Sequence, residues 1–259
     1  MKVVAVIPAR YRSTRLPGKV LLRETGKYLV QHVYERVCEA RRVGAVLIAT
    51  DDERVIRAAA SFGAQVVLTG RRHGTGTERV AEAAAGIEAD VVLNVQGDEP
   101  LIDPGLIDGL AAVMEKEPAA AAASAAYRVS DPARAADPNL VKVVVDGSGN
   151  ALYFSRSPVP YYRDAAAARS YLAHVGIYAY RKDFLIALAG MKETPLEAAE
   201  KLEQLRILEN GRSVRIIETE YCHFGVDTPE DYRRFVEEWG VREKLADEAA
   251  RQVPRQGKA

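Results

Sequence analysis

What most constrains this chain is a rhythm in its first half. Four short apolar runs, at residues 3–7, 46–49, 66–68 and 91–95, are separated by polar turns and amphipathic segments. Each run is apolar rather than alternating, broken only by Asn94 in the fourth, which is the pattern of a strand buried on both faces of a parallel sheet. Between them, residues 28–42 carry Leu29, Val30, Val33 and Val37 at helical spacing. Residues 52–62 read as a helix stopped by Gly63, and residues 77–85 as a third helix. Strand and helix in alternation predict an α/β fold built on a doubly wound, mostly parallel sheet.

The second half changes character. Runs at 141–145 and 151–154 flank Asp146-Gly147-Ser148-Gly149-Asn150, strong turn chemistry for a hairpin. A further strand is expected at 175–180, and the alanine-rich run 119–123 reads as an ordinary strand. These strands predict a smaller antiparallel section over about 139–180. Thr194, Pro195 and Glu197 sign the start of a helix running to Asn210 before Gly211, and Thr228-Pro229 signs another. The whole is expected to form one domain over 1–246 with a polar tail at 247–259.

Composition excludes several classes. The 36 basic and 36 acidic side chains cancel, so the excess that marks a nucleic-acid or membrane-surface protein is missing. No apolar stretch reaches the roughly 18 residues of a membrane span, and residues 1–7 lack the apolar region of a signal peptide. A cytoplasmic setting is the expectation. The two cysteines, Cys38 and Cys222, offer no disulfide framework, and Cys38 is expected to be a small core residue.

Chemistry concentrates where parallel strands end. The loop after the first strand, Pro8-Ala9-Arg10-Tyr11-Arg12-Ser13-Thr14-Arg15-Leu16-Pro17-Gly18-Lys19, holds four cations. Ligands of such sheets bind at this edge. Small residues such as Ala9 admit a ligand to the backbone, and arginine and lysine answer phosphate oxygens. The string is neither a Walker A loop nor Gly-x-Gly-x-x-Gly. After the fourth strand comes Gln96-Gly97-Asp98-Glu99-Pro100, which places Asp98 on the same edge, positioned to hold Mg²⁺ against phosphate oxygens. His73-Gly74-Thr75-Gly76-Thr77-Glu78-Arg79 leads into a helix and offers free backbone N–H groups. Asp227 stands just ahead of the Thr228-Pro229 helix start. Strand alternation puts His174 and Tyr178 on one face and Val175 and Ile177 on the other.

Together these motifs resemble the 3-deoxy-manno-octulosonate cytidylyltransferase (CMP-KDO synthetase) family, over residues 4 to about 236 and in the family's order. The resemblance implies that Arg10, Arg15 and Lys19 wrap the triphosphate of CTP; Arg12 falls at a variable position. It makes Asp227 the second Mg²⁺ ligand beside Asp98, and puts Thr75, Arg79 and Gln96 near cytosine and ribose. For the acidic sugar, KDO, it points to Arg156, Arg163, His174, Tyr178, Glu203 and Gln204. Implied with these are transfer of CMP to KDO for lipopolysaccharide synthesis and a homodimer built through the second half. Thr75 departs from the commoner serine, and Tyr161-Tyr162 from the residues usual before Arg163. Sialic acid or 8-amino-KDO is the alternative sugar. Further rivals are a sugar-1-phosphate uridylyl- or guanylyltransferase and a non-catalytic nucleotide-binding regulator. No side chain stands out as a general base.

Overall fold

The computed structural model describes residues 1–164 and 168–252. The first half follows the expected alternation: β1 (Val3–Pro8), α1 (Leu29–Cys38), β2 (Ala45–Thr50), α2 (Glu53–Ser61), β3 (Gln65–Leu68), α3 (Gly76–Ala85), β4 (Val91–Asn94) and α4 (Pro104–Lys116). Then come β5 (Ala122–Val129), α5 (Pro132–Ala136), β6 (Lys142–Val145), β7 (Ala151–Ser155), β8 (Tyr171–Arg181), α6 (Lys182–Ala189), α7 (Pro195–Glu200), α8 (Leu205–Glu209), β9 (Val214–Glu218) and α9 (Pro229–Gln252). Among the described residues the strands join in one sheet of order β3-β2-β1-β4-β8-β5-β9, with β6 attached to β7 and β8.

Strands β1 to β4 pair in parallel, as do β5 and β9, whereas β8 runs antiparallel between β4 and β5. That reversal shapes the site. Asn94, the last residue of β4, lies opposite Tyr178, so the earlier residues of β8 project beyond the carboxyl end of β4. There the β6–β7 hairpin joins them through Lys142–Ala173 and Val143–Leu172. The antiparallel strands therefore stand over the edge where the parallel strands end.

Two apolar clusters fill the faces of the sheet. One packs Val30, Val33 and Val37 of α1 and Leu106, Ile107 and Leu110 of α4 against the β1–β4–β8 face. The other packs Val80 and Ala84 of α3 and Leu185 and Leu188 of α6 on the opposite face. A third joins Leu29 and Leu101 to Val226, Tyr232 and Phe235 at the start of α9, with Leu16 of the basic loop against it. Burying side chains such as Val226 and Phe235 contributes roughly 1.5–3 kcal/mol each. That cluster docks a segment from the end of the chain against a loop from its beginning.

Several expectations need correction. Helix α1 ends at Cys38 rather than 42, and Cys38 is exposed, because the buried stripe runs through Leu29, Val30, Val33 and Val37 and leaves the next position off it. The helix expected over 195–210 is two short ones. Lys201 adopts a left-handed conformation (φ 54°) that closes α7, so Glu203 and Gln204 lie in the turn before α8, not on a helix. Strand β5 begins at Ala122 instead of 119, and α9 continues past 246 to Gln252. The remainder of the expected tail, 253–259, lies outside the described residues. No described helix is long and apolar enough to cross a membrane.

Gly97 explains how closely the loop after β4 approaches β1. A Cβ there would sit 2.8 Å from the Pro8 carbonyl oxygen, a backbone atom that cannot yield cheaply. Gly97→Ala is therefore expected to cost about 1–3 kcal/mol, the usual penalty for overpacking, measured by urea unfolding. Unchanged stability would show that the two loops are not pressed together.

Candidate active site

The basic loop is held open by its own geometry. Ala9 is fully buried and its N–H donates to Ala49 O (2.9 Å), which extends the β1–β2 ladder by one step. Gly18 has φ 69° and donates to Tyr11 O (3.1 Å), turning the chain so that Lys19 faces back toward the sheet edge. Only glycine adopts that φ cheaply. The Tyr11 ring carries the Arg54 guanidinium at 3.3 Å from its centroid. Arg10 donates to the carbonyls of Gly74 (3.1 Å) and Thr75, tying the basic loop to the loop before α3. Thr75 caps α3, its hydroxyl accepting from Glu78 N (3.2 Å).

At the centre, Lys19 Nζ donates to Asp98 Oδ2 (2.5 Å), Asp227 Oδ1 (2.8 Å) and Val226 O (3.0 Å). Val226 N donates to Asp98 O (2.9 Å), so the two aspartate segments are stitched directly together. Arg15 reaches the other oxygen of Asp227 (3.0 Å). Asp231 fixes the approach of Asp227 by accepting from the N–H groups of Asp227 (3.2 Å) and Thr228 (3.0 Å) in a capping arrangement. Burial works against the Lys19 ammonium, but the charge of Asp98 and hydrogen bonds to both aspartates raise its pKa. Burial raises the Asp98 pKa, with Lys19 opposing.

These residues line a cavity of about 360 Å³ that also takes in Ser13, Thr14, Thr75, Gly76 and Gln96. It shares Arg10 and Arg12 with a neighbouring cleft of about 590 Å³ bordered by Asp51, Arg54, Arg71, His73 and Arg79. Volumes of this order suit a nucleotide. Among the described residues no three of His, Cys, Asp and Glu converge as a metal cage. A Mg²⁺ ion needs only one or two carboxylates when phosphates complete its shell. Asp98 and Asp227 meet that requirement, since a single cationic atom, Lys19 Nζ, already bridges them.

The sugar-side residues divide. His174 and Tyr178 share a face as expected, ring centroids 5.4 Å apart, with Val175 and Ile177 in the core on the other side. Tyr178 lies opposite Asn94, to which Gln96 Nε2 donates (3.4 Å), so the residues expected at the sugar adjoin those expected at the nucleotide. Glu203 lies near enough to Arg10, Tyr178 and Tyr180 to influence their titration; Gln204 beside it is buried. Arg156 is turned toward the backbone. Its guanidinium donates to the carbonyls of Glu200 (2.7 Å), Pro138 (2.9 Å) and Lys201 (3.4 Å), clamping the end of α7. Arg79 is buried against Thr69 and Asp51, bracing α3. Arg163 is exposed and lines neither cavity.

The partners of Glu99, His223 and Tyr221, were not expected from the sequence. Glu99, 1% exposed, is approached by His223 Nδ1 (3.1 Å), an ion-pair contact rather than an aligned hydrogen bond, and accepts from the Tyr221 hydroxyl (3.5 Å). Burial opposes the His223 imidazolium, but Glu99, with Asp98 and Asp227 beyond it, raises its pKa. The brace fixes the segment that carries Asp227. Its only sequence signal was a second carboxylate next to Asp98.

The Cytidylyltransferase family profile matches residues 4–216. The 3-deoxy-manno-octulosonate cytidylyltransferase of Solibacter usitatus is 51% identical over 233 residues, covering 90% of this chain and 92% of the relative. That of Geobacter metallireducens is 50% identical over 247 residues, covering 92% and 97%. A solved CMP:2-keto-3-deoxy-manno-octonic acid synthetase, complexed with CTP, superposes with a TM-score of 0.90 at 44% identity, covering 93% of this chain and 100% of that one.

Burial holds the His174 pKa down from 6.5 to about 3, with His223 adding to the effect. Ser124, Phe154 and Tyr178 surround the ring. Between those values the unfolded chain binds a proton that the folded chain refuses. Stability is therefore full above the unfolded pKa and falls as pH drops through the window, by up to about 1.4 kcal/mol per pH unit. His174→Gln is expected to remove that part of the slope in urea unfolding between about pH 6 and pH 4.5. An unchanged slope would contradict a His174 held neutral in the folded protein.

Proposed function

The chain belongs to the 3-deoxy-manno-octulosonate cytidylyltransferase family, and from that premise we propose that it transfers CMP from CTP to KDO, giving CMP-KDO and pyrophosphate. The observation that carries this reading is the Lys19 ammonium held between Asp98 and Asp227, with Arg10 and Arg15 on the same loop.

The anomeric oxygen of KDO forms a bond to the α-phosphorus of CTP as the bond to the bridging oxygen of pyrophosphate breaks. Charge moves onto the leaving group, so the protein's part is placement and neutralisation. Lys19 and Arg15 lie where the triphosphate enters, and both are paired with aspartates until it does. Arg10, fixed on the loop before α3, supplies positive charge at the junction of the two cavities. Asp98 and Asp227 would hold Mg²⁺, which when bound supplies Lewis acidity at the phosphate oxygens. Thr75, Gly76 and Gln96 line the cavity where cytosine and ribose would bind. His174, Tyr178, Glu203 and Gln204 take the sugar acid; exposed Arg163 is assigned to its carboxylate, because Arg156 is engaged by backbone carbonyls. Burial, and then Glu203, raises the Tyr178 pKa well above its ordinary value, so the phenol stays protonated as a donor.

A nucleoside-triphosphate substrate supports a cytoplasmic setting, and a KDO product supports a place in lipopolysaccharide synthesis. Exposed Leu152 on β7 and exposed Tyr161 beyond it support a homodimer through the second half.

The test is pyrophosphate release with CTP and Mg²⁺. KDO is expected to support turnover and N-acetylneuraminate not, with UTP and GTP poor replacements for CTP. Asp98→Asn is expected to cost at least ~100-fold in kcat, in the range of a lost charge-stabilising group, with the thermal midpoint little changed. Turnover with N-acetylneuraminate alone would move the substrate assignment, and near-normal activity of Asp98→Asn would remove the metal assignment.

A further inference from the structure

The pairing of β5 with β8 is interrupted. Ser124 lies opposite Tyr178 but Ala125 lies opposite Val175, so residues 176 and 177 bulge out of the ladder. A bulge leaves backbone carbonyls without their ladder partners. Here the fully buried Ser124 hydroxyl meets that need, lying 2.8 Å from Ile177 O and 3.2 Å from Val175 O. The same oxygen lies 2.9 Å from His174 Nε2.

Counting protons settles the direction of that last contact. A serine hydroxyl has one proton and two lone pairs, and a carbonyl only accepts. Were the proton given to His174, the serine oxygen would face two carbonyl oxygens with nothing between them. The proton therefore goes to a carbonyl, and Nε2–H of His174 donates to Ser124. In a neutral imidazole the other nitrogen is then a bare acceptor. His174 Nδ1 has no partner among the described residues, and His174 is only half-buried, so its ring is not sealed from a ligand.

We propose that Ser124 is a positioning residue that holds His174 as the Nε2–H tautomer, so that Nδ1 accepts a hydrogen bond from a hydroxyl of the sugar acid and does not meet its carboxylate. The inference rests on the KDO reading above for the identity of the ligand. It reverses the role a histidine would take as a cation in an acid-binding pocket. It also gives the pocket a means of reading hydroxyl groups.

The experiment has two arms. The chain has four histidines, so ¹⁵N-imidazole spectra of the ligand-free protein, with His174 identified by its loss in variants, report its tautomer directly. The Nε2–H pattern is expected in the native protein, and Ser124→Ala is expected to convert it to a mixture. In kinetics, Ser124→Ala is expected to raise KM for KDO ~10-fold, the size of one neutral hydrogen bond, with KM for CTP nearly unchanged. His174→Asn, whose amide oxygen can occupy the Nδ1 position, is expected to keep a lower KM for KDO than His174→Gln. An Nδ1–H pattern in the native protein would overturn the tautomer. The Nε2–H pattern together with equal KDO constants for the Asn and Gln variants would overturn the acceptor role. Failure of the underlying reaction shows separately, as native protein that releases no pyrophosphate with KDO. The acceptor role then falls with it, while the tautomer stands or falls on the spectrum.

Discussion

One ammonium within hydrogen-bonding distance of two carboxylates organises this molecule: Lys19 between Asp98 and Asp227. Two carboxylates brought this close repel, and the shared ammonium makes the arrangement tolerable before any substrate arrives. The group is unevenly screened. Lys19 is 12% exposed and Asp98 27%, whereas Asp227 is 44% exposed. When Asp98 loses its charge, Asp227 still pairs with the Lys19 ammonium, although that outer contact is the more weakened by solvent. A site held this way is preorganised for a cation and a polyanion together.

The rest of the fold serves that meeting. Parallel strands β1 and β4 deliver the basic loop and Asp98 to one edge, and Gly97 allows the two loops to touch. The cluster around Val226 and Phe235 returns the chain from its far end, and the Glu99–His223–Tyr221 brace sets where Asp227 stops. Reversed strand β8 then carries a second set of groups beyond the end of β4. One edge thus presents a charged half around Lys19, Asp98 and Asp227 and a second half around His174 and Tyr178, joined at Asn94, Gln96 and Tyr178.

What could be read in the sequence was what is local. Buried parallel strands announce themselves as continuous apolar runs, and the basic loop and Gln-Gly-Asp-Glu-Pro segment follow them directly, so their common edge was predictable. The alternation of His174 and Tyr178 against Val175 and Ile177 was equally visible. Less legible were features set by distant partners. Arg156 looks like a ligand for an acid, but carbonyls from two other segments claim it. Residues 195–210 carry a good cap and helical composition, yet Lys201 turns left-handed where the chain must swing Glu203 toward the site. Cys38 follows the apolar stripe of α1 without belonging to it. Nothing near Ser124 in the sequence hints at a bulge in a strand far downstream.

The central claim is that Asp98 and Asp227 form one cation site. Its most direct test is Mn²⁺ binding, followed by electron paramagnetic resonance in the presence of a non-hydrolysable CTP analogue, in the native protein, Asp98→Asn, Asp227→Asn and the double variant. Groups that share one ion couple, so each single substitution should weaken binding strongly and the double variant should lose little more. Native-like Mn²⁺ affinity in Asp227→Asn, or losses that simply add in the double variant, would show that the two carboxylates stand side by side without sharing an ion.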